Sequence, residues 1–476
     1  MGCKKGLPAD EYAAPAWRKT SVKDSATRYD SNQSDDRGAW LRDQIGGESA
    51  RVLEDDSRYF LHQSLSTPCL NVAERMEGIY IEDPAGRRYM DFHGNNVHHI
   101  GYAHPKLIAA LKKQLDELTF SPRRYTNRLS VELARAMAEI TGGTLIKCLF
   151  APSGSDAVEI ALKLARGVTG RHKTISFWDS FHGAGFGASS VGGERLFRDS
   201  RLGPLLPGAS HVAPPCCYHC AYGHCDRESC SRACVAAIRY VLEQEGDVGA
   251  VIACPMLPSE YIPPTWFWKE VHQACREHGA LLIFDEVPYG LGKTGRMFGF
   301  EHYDVTPDIL VTGKALGGAV VPIACVSARE NLDVLGDLAI GHYTHEKNPF
   351  AAAAALATLR IIREEGLVEN AAELGEHGLR LAHALKERHR LVGDVRGKGL
   401  VIGIELVTDH ETRLPAIREA GKLFYRALGK GLSLKTMAGI LALSPPLIIT
   451  RQEMERAFDI VDACLTETEK ERADLA

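Results

Sequence analysis

Leu281-Leu282-Ile283-Phe284-Asp285-Glu286-Val287 is a run of large apolar residues that closes on two acids. A continuous apolar run of this length is the pattern of a strand buried on both faces, as in a parallel sheet with helices above and below. Working outward, similar runs stand at 147–151, 173–177, 248–253, 309–312 and 323–326, with the first strand spanning 280–285. Apolar residues at helical spacing fill 155–167, 234–244 and 265–278. Strands alternating with helices predict an α/β unit on a mostly parallel sheet. Ligands of open sheets sit outside the carboxyl ends of the strands, so the acids that end 281–285 point at a site.

On the N-terminal side, residues 1 to about 50 are polar and read as an extended arm with one helix. Short alternating segments follow from Val72 to Asp91, with Asp83-Pro84-Ala85-Gly86 as the turn between two strands. Helical spacing begins at Pro105 and runs to Leu118. Beyond Asn348-Pro349 comes a long helix, then a second α/β unit with a strand at 400–407 and a helix at 414–429. The expected division is an arm with part of a small domain (1–105), a large domain (106–345) and a small α/β C-terminal domain (346–476). The chain has 476 residues, and its formal net charge of -5 gives no electrostatic case for nucleic acid or a membrane surface. The opening Met-Gly-Cys-Lys-Lys-Gly lacks the order of a signal peptide, and Gly6 stands where an acylation motif wants Ser or Thr. A cytoplasmic, thiol-reducing compartment is expected.

Three strand ends carry chemistry. Asp285 is placed to pair with a protonated pyridine nitrogen and so strengthen an electron sink, though acids after strands also cap helices. In Thr312-Gly313-Lys314-Ala315-Leu316-Gly317-Gly318, a lysine just past a strand lies between glycines. Glycines allow close approach of a ligand, and a desolvated lysine has the lowered pKa that Schiff-base chemistry needs, against the ordinary fate of a solvated lysine. Gly154-Ser155 follows another strand and opens a helix, where amides and a hydroxyl suit a phosphate as well as a plain cap.

Together these segments resemble the class III (ω-amino acid) aminotransferases, over about 72–465. The resemblance is carried by Asp285-Glu286-Val287-Pro288-Tyr289-Gly290-Leu291-Gly292-Lys293-Thr294-Gly295 and by 307–318. It implies a fold-type I enzyme dependent on pyridoxal 5'-phosphate, with Lys314 as Schiff base and proton shuttle and Asp285 against the pyridine nitrogen. It implies Gly154 and Ser155 on the phosphate, Phe181 stacked on the ring where the family usually has Tyr, and His182 and Val287 beside it. Thr344 would reach the phosphate of a neighbouring subunit's cofactor, which implies a homodimer or higher homo-oligomer.

The sequence departs from the family where substrate chemistry shows. The usual Glu-Pro after a central strand is Cys254-Pro255, and the arginine expected before Pro-Pro is missing from Leu441-Ala442-Leu443-Ser444-Pro445-Pro446. Those two residues form the family's switch for a second substrate's carboxylate. Pro288 replaces a Gln that bonds the cofactor's phenolic oxygen. Arg123 and Arg124, in 121–127, offer forked donors suited to a phosphate or phosphonate, or a surface ion pair. With 91–98 and 343–349, they resemble a subgroup of the family, ammonia-lyases acting on hydroxylated aminoalkylphosphonates. The expected activity is therefore a lyase on a small amine bearing a phosphonate or phosphate. An ω-aminotransferase using a 2-oxo acid, a phospho-lyase on ethanolamine phosphate, and a non-enzymatic metal-binding protein stand as alternatives.

Six of the 13 cysteines fall between Cys216 and Cys234, with His211, His219 and His224 near them. Cys217-x-x-Cys220 has ligand-like spacing, while the remaining spacing is irregular, so a metal site and an insertion with free thiols stay open. Long connections run over the surface, so this stretch is expected to be peripheral to catalysis.

Overall fold

The computed structural model describes residues 35–63, 65, 67, 69–223, 230 and 232–475. Most of the expected arm lies outside these residues; its described end carries two helices, Asp35–Gln44 and Gly47–Tyr59, rather than one. Strands β1 (Arg75–Glu77), β2 (Tyr80–Glu82) and β3 (Arg88–Asp91) then pair antiparallel. Their turn is fixed by Asp83, whose Oδ1 accepts from the backbone N–H groups of Ala85 and Arg87 at 3.0 and 2.9 Å.

The central sheet has seven strands: β4 (Lys147–Ala151), β5 (Lys173–Phe177), β6 (Ala209–Val212), β7 (Val248–Ala253), β8 (Leu281–Asp285), β9 (Ile309–Thr312) and β10 (Ala324–Ala328). Their order is β4-β10-β9-β8-β7-β5-β6, and only β10 runs antiparallel to its neighbours. β7 and β9 are buried at every residue, as their uninterrupted apolar runs predict. Helix Gly154–Thr169 lays Ala157, Val158, Ala161 and Ala165 on one face of the sheet. On the other, Trp268 of helix Phe267–Glu277 meets Phe284 edge to face at 4.8 Å. Each large side chain so buried contributes about 1.5–3 kcal/mol. β6 was not expected, because its half-polar Ala-Ser-His-Val sits at the sheet edge.

The C-terminal part begins with helices Pro349–Glu364 and Leu367–Arg388, where one long helix was expected. Gly366, in the left-handed region at φ 61, divides them. The remaining strands are β11 (Val392–Lys398), β12 (Val401–Asp409), β13 (Leu414–Pro415), β14 (Leu432–Ser433), β15 (Lys435–Met437) and β16 (Ile440–Leu443). They form an antiparallel sheet in the order β11-β12-β16-β15, with β13 on β12, while β14 pairs with β3. The helix expected from 414 begins at Ile417, since Leu414-Pro415 pairs with β12 instead. Among the described residues, no helix is long and apolar enough to cross a membrane.

Candidate active site

Six strands of the central sheet end on the same edge, because β4 and β9 both run opposite to β10 while β5, β6, β7, β8 and β9 are parallel. Just past these ends lie Gly154 and Ser155 (β4), Phe181 and His182 (β5), Cys254 (β7), Asp285 (β8) and Lys314 (β9). Non-adjacent segments are gathered there by topology alone.

The two acids that end β8 separate in role. Glu286 turns into the core and accepts from the N–H groups of Gly299 and Phe300 at 2.7 and 2.8 Å, and burial raises its pKa to about 8. Asp285 faces the site, 3 % exposed. Its Oδ1 accepts from Val287 N–H at 3.0 Å, and its Oδ2 takes the His182 Nδ1 proton at 2.8 Å. A carboxylate only accepts, which assigns that proton to Nδ1 and orients both groups. His182 Nε2 is buried without a protein partner. Cys254, 2 % exposed, completes a trio with His182 and Asp285 whose polar atoms lie within 4.8 Å of one another.

Lys314 opens a single helical turn with its own backbone in the left-handed region, φ 44. A non-glycine residue held there costs about 1–3 kcal/mol, a strain retained at functional sites. Burial lowers its pKa, opposed by Asp285 and reinforced by the charge of Lys435. A lowered pKa enlarges the neutral fraction of the amine, the form a nucleophilic lysine needs.

Ser153 caps helix Gly154–Thr169, its side chain accepting from Asp156 N–H, which leaves Gly154 and Ser155 as the first helical residues. Ser155 Oγ accepts from Ala184 N–H at 3.0 Å and so holds the 181–184 loop. Gly183 makes this approach possible: a Cβ there would lie 2.5 Å from Ser155 Oγ, at a φ of +131. Val287 packs between Gly154 and Gly313, tying the ends of β4, β8 and β9 together. Phe181 is 40 % exposed and meets Phe197 at 4.5 Å.

Arg123 and Arg124 lie on an exposed turn. That turn is joined to 343–349, where Thr344 is also exposed: Asn127 Nδ2 donates to Lys347 O at 2.9 Å, and Phe120 meets His345 at 5.3 Å. The structure therefore groups the arginines with Thr344, on a surface carrying exposed Phe120, Tyr125 and Val131, and records no contact between them and Lys314 or Asp285.

Where the arginine expected before Pro-Pro is missing, Lys435 stands directly opposite Ala442 in the β15–β16 register, and its charge acts on Lys314, His93, Glu194 and Glu260. Strand pairing between 435 and 442 has no local sequence signal. Part of the cysteine-rich stretch turns inward where a surface connection was expected: Cys216 and His219 line a cavity of about 260 Å³ with Glu194, Glu260, Arg396 and Glu405. His219 bonds Glu405, which is also paired with Arg396 at 2.7 Å. Cys216 packs with Cys254 and Tyr261, so the stretch supports the wall behind Asp285.

The aminotransferase class-III family model matches residues 62–465. The chain is 40% identical to the (R)-1-hydroxy-2-aminoethylphosphonate ammonia-lyase of Vibrio splendidus, over 93% of this chain and 95% of that protein. It is 35% identical to the leucine/methionine racemase of Thermococcus litoralis, over 88% and 96%. An amine transaminase from an uncultivated Pseudomonas species, solved in its pyridoxal phosphate-bound form, superposes with a TM-score of 0.79 at 30% identity, covering 89% of this chain and 98% of that one.

Proposed function

Because the chain belongs to the class III aminotransferase family and its cofactor is pyridoxal 5'-phosphate, we propose that it is an ammonia-lyase for a hydroxylated aminoalkylphosphonate. The reaction converts (R)-1-hydroxy-2-aminoethylphosphonate to phosphonoacetaldehyde and ammonia. The residues present fit the cofactor: a lysine with lowered pKa, an acid oriented by a buried histidine, and a helix start with a serine hydroxyl. Lys314 would attach it, Asp285 would pair with its ring nitrogen, and Gly154 and Ser155 would hold its phosphate at the positive helix end. Phe181 and Val287 would flank the ring. When bound, the cofactor supplies an electron sink beside the aminated carbon.

Lys314, once released, takes the proton from the aminated carbon and delivers one to the departing hydroxyl. Its lowered pKa keeps the amine available for the first transfer. Lys435 binds the phosphonate, and its place opposite Ala442 sets the distance from head group to reacting carbon. In a homodimer, Arg123, Arg124 and Thr344 serve the neighbouring subunit's site. The observation that carries the lyase reading is the loss of the family's carboxylate switch: a buried thiol, Cys254, stands where a movable arginine finds its glutamate.

One observation favours a second reading, an aminotransferase with a 2-oxo acid acceptor: Lys435 also offers a cation to a carboxylate. Ammonia measured without any 2-oxo acid separates the two. Continued release of ammonia and phosphonoacetaldehyde over many turnovers is expected. A single stoichiometric turnover, restored only by adding pyruvate, overturns the proposal, and phosphate released from ethanolamine phosphate points to a phospho-lyase.

A further inference from the structure

Away from Lys314 and Asp285, cysteines gather around a small cavity of about 30 Å³ between the end of β6 and the start of helix Ala233–Glu245. Cys216, Cys217, Cys220, Cys230 and Cys234 line it, with Pro214, Pro215, Pro264, Tyr222 and Trp266 making up the rest. Cys216 is committed elsewhere: its Sγ donates to Glu260 O at 3.7 Å, and it packs in the apolar cluster with Cys254 and Tyr261. The other four thiols that line the cavity have the spacing Cys217-x2-Cys220-x9-Cys230-x3-Cys234. Two come from the strand exit and two from the helix start, the arrangement in which one ion joins two chain segments. We propose that Cys217, Cys220, Cys230 and Cys234 bind one structural zinc ion.

The surroundings argue for a cation over other occupants. A buried water needs two to four polar partners, and prolines, an indole and thiols provide few. No described cysteine is in a disulfide. A zinc ion deprotonates its thiol ligands outright, and thiolates are the ligands it takes in closed structural sites. Cys234 also sits in the first turn of a 13-residue helix, where the positive end favours a thiolate. The sulfurs stand more widely than a closed ligand set, since three or more of them do not lie within 4.8 Å of one another. Zinc, with bonds of about 2.3 Å, draws them inward onto the cavity. Closure fixes the segment that carries Cys216 and His219 into the larger cavity.

The full-length holoenzyme, purified after growth with zinc, tests this by elemental analysis. Roughly one zinc per chain is expected, retained through dialysis against EDTA and released by a mercurial that titrates four thiolates. The Cys220→Ser/Cys230→Ser double variant should lose most of the metal, while Cys216→Ser keeps it. Should the double variant fail to fold, cobalt substitution in the wild-type chain reports instead, through thiolate-to-cobalt charge-transfer bands of a tetrahedral site. Zinc-free holoenzyme whose four thiols react freely with a disulfide reagent overturns the proposal. So do iron in place of zinc and full zinc retention by the double variant.

Discussion

Replacing Gly183 by alanine asks whether the 181–184 loop is held in place by its contact with Ser155. The added Cβ would stand 2.5 Å from Ser155 Oγ and 2.8 Å from Ser155 Cα, far inside normal contact. A left-handed alanine costs about 1–3 kcal/mol, and overpacking adds about 1–3 kcal/mol. The sum, roughly 2–6 kcal/mol, is comparable to the whole stability of many domains, so the chain relaxes by the cheaper route. That route swings the loop away and breaks the Ala184 N–H to Ser155 Oγ bond of 3.0 Å, and it strains the His182–Asp285 pair. A neutral hydrogen bond is worth about 1 kcal/mol net, and bonds to charged groups about 1.5–3. The fold should survive with a lowered melting temperature, while cofactor affinity drops on the order of 10- to 100-fold, at 1.4 kcal/mol per decade. Titration of the apoprotein with pyridoxal phosphate, followed by absorbance, measures this. Ser155→Ala alone should lose about tenfold or less, and adding it to Gly183→Ala should recover part of the deficit, because the Oγ clash is gone. Unchanged cofactor affinity in Gly183→Ala would refute the reasoning.

Lys314→Ala should abolish the absorption band of the lysine-bound cofactor and all turnover, and borohydride with peptide mapping should label Lys314; label on another lysine contradicts the assignment. Lys435→Met should raise KM for the phosphonate by roughly 10- to 100-fold, the loss of one charged hydrogen bond. It should also shift the Lys314-dependent limb of the kcat profile to higher pH, because Lys435 helps hold the released Lys314 down. Burial brings Lys293 to about 7, and the unfolded value is near 10.4. Its folded state binds fewer protons between those values, so its contribution to stability is absent below about pH 7 and grows as pH rises towards 10. Lys293→Met should remove that rise, a few kcal/mol by linkage, in denaturant titrations across the range.

Much of the site was legible because buried parallel strands print as unbroken apolar runs, and the residues after them fall on one edge. Asp285, Lys314 and Gly154 follow from that rule without any knowledge of contacts. Which of the paired acids would face the site was not legible: Glu286 is claimed by the Gly299 and Phe300 amides, 13 and 14 residues onward. The left-handed backbone of Lys314 carries no signal, since lysine is an unfavourable residue there. Lys435 escaped for a different reason. Its strand is three residues long and half-buried throughout, and its meaning comes from the residue across from it. The cysteine stretch was misplaced because a Pro-, Gly- and Cys-rich connection looks like surface, whereas His219 is drawn inward by Glu405.

The charges around Lys314 couple substrate binding to its basicity. Burial and Lys435 both disfavour its ammonium form, and Asp285 opposes them. In the proposed reading, a dianionic phosphonate arrives on Lys435 and cancels its repulsion. Lys314 then becomes a stronger base at the moment a proton must be taken, having been a better nucleophile before. A neutral amine of the same length lacks this effect, and should be deprotonated more slowly even when saturating. The single cation opposite Ala442 thus acts twice, once in selecting the head group and once in setting the lysine that works on it.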